Sequence, residues 1–285
     1  SVSQEKAIEQ LFFREDFKRA NMNDVGEITV PPRALEYYKT GYLNKIGKAK
    51  DVLGNTKVVI DYANSSASMV FPAILGELGV DVVALNAYVD GKKITKTKEM
   101  FEESLNQLSD IVTTLKATSG FLIDNGAEKL FLVDEKGKIM EDEISMLVMA
   151  YLVMTTYKSG KIAVPVNVSS VIDELASKFD FKIVRTGTSQ RNIMNAAKDE
   201  SVVFVADCKG GFIFPEFQHA FDAMYAIGKM IEMLSKSGIS LSRVRREIPS
   251  FDVLHVTIPC SWDKKGQTMR NASGGFNRRI DGAVL

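Results

Sequence analysis

Cysteine is nearly absent from this chain: two residues, Cys208 and Cys260, in a length of 285. Two thiols cannot form a disulfide framework, so a reducing, cytoplasmic setting is expected. Histidine is equally scarce. His219 and His255 stand apart, with no acid or nucleophile beside them, so no zinc-type ligand spacing exists. A run of about 18 uncharged apolar residues is also missing, which excludes a spanning helix. The opening SVSQEKAIEQ lacks the basic-then-apolar order of a secretory signal. Excess charge of either sign is missing too, since 36 Lys+Arg balance 36 Asp+Glu. That balance argues against binding nucleic acid or a membrane surface through bulk charge.

What is present is an ordinary globular composition, 45% hydrophobic and 25% charged. The length suits two compact units plus flanking pieces. Residues 1–55 hold helical segments, FFREDFKRA and PPRALEYYKTGYLNKI, around Pro31-Pro32, and no strands; they read as a connector or packing arm. From Lys57 strands and helices alternate. KVVIDYA is β-branched and apolar, hence a buried strand. A helix follows from Ser68 to Leu78, stopped by Gly79, and then the strand DVVALNAYV. The helix at 98–117 has Phe101, Leu105, Leu108, Ile111 and Leu115 at helical spacing. FLIDN and KLFLVDE flank a tight loop, and a helix runs from Glu143 to Tyr157. The alternation then restarts: strand KIAVPVNVS, helix 170–179, strand FKIVRT, helix 190–198, strands VVFVAD and GFIF, helix 220–237, and SLSRVRRE capped by Ser240. After Pro249 the chain reads as a strand, FDVLHVTIP, and then a polar loop. Two blocks of βα alternation imply two α/β sandwiches.

Three loops carry groups suited to chemistry. In Asp124-Asn125-Gly126-Ala127-Glu128-Lys129, Asp124 and Glu128 could hold Mg²⁺ through oxygen ligands. The plainer reading is an Asn-Gly turn, and Lys129 competes with a dication for the same carboxylates. In Asp207-Cys208-Lys209-Gly210-Gly211, the glycines permit close approach of a ligand and Lys209 can meet a phosphate; equally, Gly210-Gly211 turns the chain. Cys208 beside Lys209 could have a lowered pKa, but it has no histidine partner and is not taken as a nucleophile. Arg185, Thr188 and Arg191 surround a helix start, which suits an anion, although the hydroxyls there also suit ordinary capping. The run Arg243, Arg245, Arg246 reads as a solvated helix face, and Trp262 as packing.

The order of these pieces resembles the α-D-phosphohexomutases (phosphomannomutase/phosphoglucomutase). KVVIDYANSSAS, LGVDVVALNAY, DNGAEKLFLVDEKG and EDEISMLVMAYL are similar to that family's second domain. KIAVPVNVSSVIDELA, VRTGTSQRNI, VVFVADCKGGFIFPEF and HAFDAMYAIGKMIEML are similar to its third, and KGQTMRNASGGFNRRIDGAVL to the opening of its fourth. The resemblance implies a helical arm at 1–55, a second-domain-like unit at 56–159 and a third-domain-like unit at 160–249. Both units are expected as α/β/α sandwiches with mixed sheets, followed by a short α+β remnant at 250–285.

The departures from the family pattern set the functional expectation. The family's metal loop, Asp-Gly-Asp-x-Asp-Arg, is matched here by Asp124, Gly126, Glu128 and Lys129. Its sugar loop, Gly-Glu-x-Ser-Gly-His, has Asp207, Lys209 and Gly211 in the Glu, Ser and His places. The first-domain serine loop has no counterpart, and the fourth-domain phosphate loop would lie beyond Leu285. Residues 1–55 also resemble the connector that joins a sugar-1-phosphate nucleotidyltransferase, of the mannose-1-phosphate guanylyltransferase type, to a mutase-like region. The implied reading is a non-catalytic region (a pseudoenzyme) of a nucleotide-sugar enzyme that senses sugar phosphate or nucleotide sugar. It would follow an N-terminal nucleotidyltransferase domain, and self-association is compatible with it. The alternative is a fragment of an active phosphomannomutase. A third reading gives Asp124, Glu128, Lys129, Asp207 and Lys209 a new reaction.

Overall fold

The computed structural model describes residues 2–275 apart from 17, 28, 30–32, 47–52, 54–55, 94–96 and 253–258. The chain divides into a short unit, Ser1–Glu36, and a second, Tyr37–Leu285. The first holds helix α1 (Val2–Arg14). Helix α2 (Ala34–Ile46) carries Tyr42 and Ile46, both buried in the core of the second unit.

Among the described residues, eight strands form two sheets with the same plan. The first holds β1 (Lys57–Asp61), β2 (Asp81–Leu85), β3 (Ser119–Ile123) and β4 (Leu130–Asp134) in the order β2-β1-β3-β4. The second holds β5 (Ser159–Pro165), β6 (Asp180–Thr186), β7 (Val202–Ala206) and β8 (Phe212–Ile213) in the order β6-β5-β7-β8. In each, three parallel strands end in one antiparallel partner, β4 on β3 and β8 on β7. Parallel neighbours need crossover connections. These are helices α3 (Phe71–Glu77) and α4 (Lys98–Thr114) in the first half, and α6 (Val171–Ala176) and α7 (Gln190–Ala196) in the second. The expected pair of α/β/α sandwiches with mixed sheets is therefore the observed architecture.

Helix α5 (Asp142–Thr156) joins the halves, and α8 (Ala223–Ser237) and α9 (Leu241–Glu247) follow β8. Side chains on a strand alternate between faces. Val58 and Ile60, Phe121 and Ile123, Ile162 and Val164, and Phe204 and Ala206 face one large shared core. The residues between them face outward: Val59 and Leu122 meet Leu105, Leu108 and Val112 of α4, while Ala163 and Val205 meet Ile193 of α7. The shared core includes the consecutive run Met146, Leu147, Val148, Met149 and Ala150 of α5, all fully buried. A helix apolar all round must be covered on every side. Helix α5 meets β4 on one side, β7 on another, and α8 and α9 besides.

Several boundaries differ from the sequence reading. The helix read from Ser68 begins as a 3₁₀ turn, Ser66–Met69, and α3 starts afresh where Pro72 can occupy a first-turn position. The strand DVVALNAYV stops at Leu85, since Asn86 takes a left-handed φ of 48°. Helix α8 starts at Ala223 rather than Ala220 because the Asp222 side chain caps it, accepting from the Tyr225 amide at 2.9 Å. The polar loop expected after 260 is a 3₁₀ turn, Trp262–Lys264, followed by helix α10 (Lys265–Gly275), in which Lys, Gln, Met, Arg and Ala are sound helix formers. Trp262 is not packed inside: it is 84% exposed. Pro31, Pro32, most of the expected strand FDVLHVTIP, His255 and the end IDGAVL lie outside the described residues. No described helix is long and apolar enough to cross a membrane.

Helices α2 and α8 touch at Gly228, where a Cβ would collide with the Tyr42 hydroxyl and lie 2.8 Å from Ile46 Cδ1. Tyr42 in turn donates to the Met224 carbonyl at 3.0 Å. Overpacking of this kind costs about 1–3 kcal/mol, so Gly228→Ala is expected to lower the unfolding free energy by that amount, read as a lower denaturation midpoint. An unchanged midpoint would mean that α2 does not press on α8.

Candidate functional site at the strand ends

Parallel α/β sheets bind ligands at the carboxyl ends of their strands. All three loops picked out by sequence lie there: 124–129 after β3, 187–189 after β6, and 207–211 after β7.

The loop after β3 closes on its own first residue. Asp124 Oδ1 accepts from the amides of Glu128 at 2.8 Å and Lys129 at 2.9 Å, and the Asp124 amide donates to the Lys129 carbonyl at 3.0 Å. Ala127, at φ 55°, turns its carbonyl to the Ala223 amide at 2.9 Å, satisfying one of the open donors at the start of α8. The loop after β7 repeats the device. Buried Asp207 accepts through Oδ1 from the amides of Lys209 at 2.8 Å and Gly211 at 2.7 Å.

The two loops meet. The Leu130 amide donates to the Gly210 carbonyl at 2.9 Å, and Lys129 and Gly211 form an antiparallel bridge. Gly210 has φ 82°, and a Cβ there would stand 2.8 Å from the Leu130 oxygen, so only glycine fits without displacing β4. The sequence alone gave no sign of this convergence.

Two further acids that sequence reasoning passed over join the loops from α5. Asp142 has its carboxyl pushed above the usual range by burial and by the neighbouring Asp207 carboxylate, with Lys129 and Lys209 opposing. Glu143 accepts from the Ser169 amide at 2.8 Å. The triplet Glu141-Asp142-Glu143 ahead of an apolar helix was the available signal, and it reads first as first-turn charge complementing a helix dipole. Asn167 also reaches in, donating to Cys208 Sγ at 3.4 Å. Burial and Asp207 push the Cys208 thiol up, not down as its lysine neighbour suggested, so Cys208 is a poor thiolate.

The remaining predicted residues lie elsewhere. Strand β6 is two strands from β7, about 10 Å at ordinary strand spacing. Arg185 pairs with Asp173 and donates to the Val168 carbonyl at 2.7 Å, which ties the loop after β5 to α6. Ser189 caps α7 by accepting from the Asn192 amide at 3.3 Å, while Thr188 and Arg191 are exposed at its start. The basic run is as expected on the surface at Arg243 and Arg246, but Arg245 is half-buried.

The cluster of Lys129, Lys209, Asp142 and Asp207 mixes cations with carboxylates. Such a set suits a polyhydroxylated ligand with an anionic substituent, because each hydroxyl both donates and accepts. It does not suit a resident dication. One Asp124 oxygen is spent on two amides, Lys129 is adjacent, and among the described residues no three His, Cys, Asp or Glu side chains converge.

Comparison with known proteins gives the frame. Residues 39–137 match the model of phosphoglucomutase/phosphomannomutase α/β/α domain II, and residues 140–251 match that of domain III. The chain carries domains II and III of the phosphoglucomutase/phosphomannomutase family. It is 30% identical over 271 residues to a phosphoglucosamine mutase of Methanocaldococcus jannaschii, covering 93% of this chain and 59% of that protein. It is 30% identical over 251 residues to a phosphoglucomutase/phosphomannomutase of Thermococcus kodakarensis, covering 87% and 54%. The chain thus spans little more than half the length of these relatives. A solved family structure from Burkholderia thailandensis superposes with TM-score 0.70 at 16% identity, over 87% of this chain and 52% of that one.

Within this family frame, Asp142 makes a signed prediction. A carboxyl whose folded pKa lies above its unfolded value loses stability as pH rises between the two. Asp142→Asn is therefore expected to raise the melting temperature at pH 7, with the gain shrinking as pH falls through the raised folded pKa and gone once pH reaches the ordinary carboxylate value. Melting curves at pH 4 and 7 check this, and an equal gain at both would remove the buried-charge account.

Proposed function

We propose that this chain is the central, sugar-facing part of a phosphohexomutase that acts on a hexose or hexosamine phosphate. The observation that carries the proposal is the hydrogen-bonded meeting of loops 124–129 and 207–211 at the carboxyl ends of β3 and β7. The printed functions of the relatives, phosphoglucosamine mutase and phosphoglucomutase/phosphomannomutase, support this class and make glucosamine phosphate the first substrate to test. In this reading Lys209 and Lys129 hold the anionic substituent, Asp207 shapes its loop, and Asp142 and Glu128 face ring hydroxyls. Chemistry is limited to positioning and proton transfer, with Asp142, whose carboxyl burial and Asp207 push upward, the acid placed to hold a proton.

A second reading, binding without turnover, is favoured by the donor set of the loop after β3, where Asp124 serves its own backbone. Under either reading a sugar phosphate or nucleotide sugar is the proposed ligand. Cytoplasmic placement, self-association and an N-terminal nucleotidyltransferase partner stand as proposals from sequence; the mutases reported above lend the last no support.

The test is interconversion of glucosamine 1- and 6-phosphates, and of the mannose and glucose pairs, by this chain and by any longer protein containing it, with and without Mg²⁺. Turnover of one pair by the longer protein, with Lys209→Ala weakening the substrate by about 1.5–3 kcal/mol, supports the mutase. Calorimetric binding that is sensitive to Lys209→Ala, without turnover in either protein, supports the second reading. Neither binding nor turnover would retire both.

A further inference from the structure

We propose a second anion site, for a pyrophosphate or similar phosphoryl group, formed by Lys136, Lys138, Arg245 and Arg246. It lies at the opposite end of β4 from the sugar-facing loops, roughly 15 Å away by the rise of a five-residue strand. The aliphatic stems of these four side chains line a cavity of ≈ 330 Å³ together with Asp134 and Ser242.

The acids nearby are committed. Asp134 is buried, and its Oδ1 accepts from the amides of Lys136 and Lys138, each at 2.9 Å. Glu135 accepts from the Ser242 amide at 3.1 Å and from the Ser242 hydroxyl. Among the described residues, none of the four cations has an ion-pair partner. Arg245 supplies an independent observation: its Nε is buried and has no hydrogen-bond partner. A buried donor left unpaired is costly, and such a group calls for an acceptor.

The site is also held in place before any ligand arrives. The turn 134–138 is fixed by Asp134 and by Ser109, which donates to the Gly137 carbonyl at 2.5 Å. Helix α9, which carries both arginines, is tied to the same turn through Glu135 and Ser242. Cations on two elements locked to each other lose little freedom on binding. The planar arginine fork matches phosphoryl oxygens, while the lysines act as point charges. Four cations against two occupied carboxylates favour a multiply charged anion over a singly charged one.

The experiment is calorimetric titration of the whole chain with inorganic pyrophosphate, ADP and adenosine. Pyrophosphate is expected to bind, at least about ten-fold more weakly after Arg245→Gln or Lys136→Gln/Lys138→Gln, and unchanged after Lys209→Ala. The double lysine variant alters exposed side chains only, so it reports even where Arg245→Gln disturbs folding. ADP binding at least as tightly as pyrophosphate, with adenosine silent, assigns the anion to a nucleotide; pyrophosphate alone assigns it to a free inorganic ion. No pyrophosphate or ADP binding, binding that survives the double variant, or binding lost in Lys209→Ala would overturn the proposal.

Discussion

The structure depends on the burial of α5 between two sheets. Each sheet has an outer helical cover of its own, α4 on the first and α7 on the second, but the inner faces of both are closed by the same helix. Full burial of a Leu, Val or Met side chain contributes about 1.5–3 kcal/mol, and α5 commits nine of its residues to the interior. Neither sheet can part from α5 without exposing that surface. The carboxyl ends of β3 and β7 are consequently held in register, and the bond from Leu130 to Gly210 is the visible result.

The chemistry of the site follows from where its carboxylates are spent. Asp124 and Asp207 each organise the loop that contains them, so their charge stabilises backbone and is only partly free for a ligand. The remaining charges, Lys129, Lys209, Glu128 and Asp142, are not spent on holding the two loops, and the proposed ligand would meet these. This division also explains why the loop after β3 lacks a metal-holding donor set among the described residues.

Much of the fold was legible because local signals agreed with the final packing. The β-branched run Val58-Val59-Ile60, the helical spacing of Leu105 and Leu108, and Gly79 past the end of α3 each pointed to the element found. The arrangement of the halves was not legible. Strands buried on both faces read as continuous apolar runs, which hides the face that meets α5. The site was legible in part. Loops with Asp, Gly and Lys between strands identified 124–129 and 207–211, but only the fold brings them together. Asp142 was masked by its second role as a helix-start acid, and sequence does not show that Arg185 pairs with Asp173 on the preceding helix. The tail from Lys265 was read as loop on its polarity, although its helix formers outnumber its breakers.

The shared core is tested most directly by native-state hydrogen exchange of the amides of β3 and β7 in wild type and in Met149→Ala, a substitution that opens a cavity in the middle of α5. The account predicts that protection falls in both sheets together, by the same free energy of about 2–5 kcal/mol. Loss of protection confined to one sheet would show that the two halves are stabilised separately, and that the meeting of their loops is not imposed by the core.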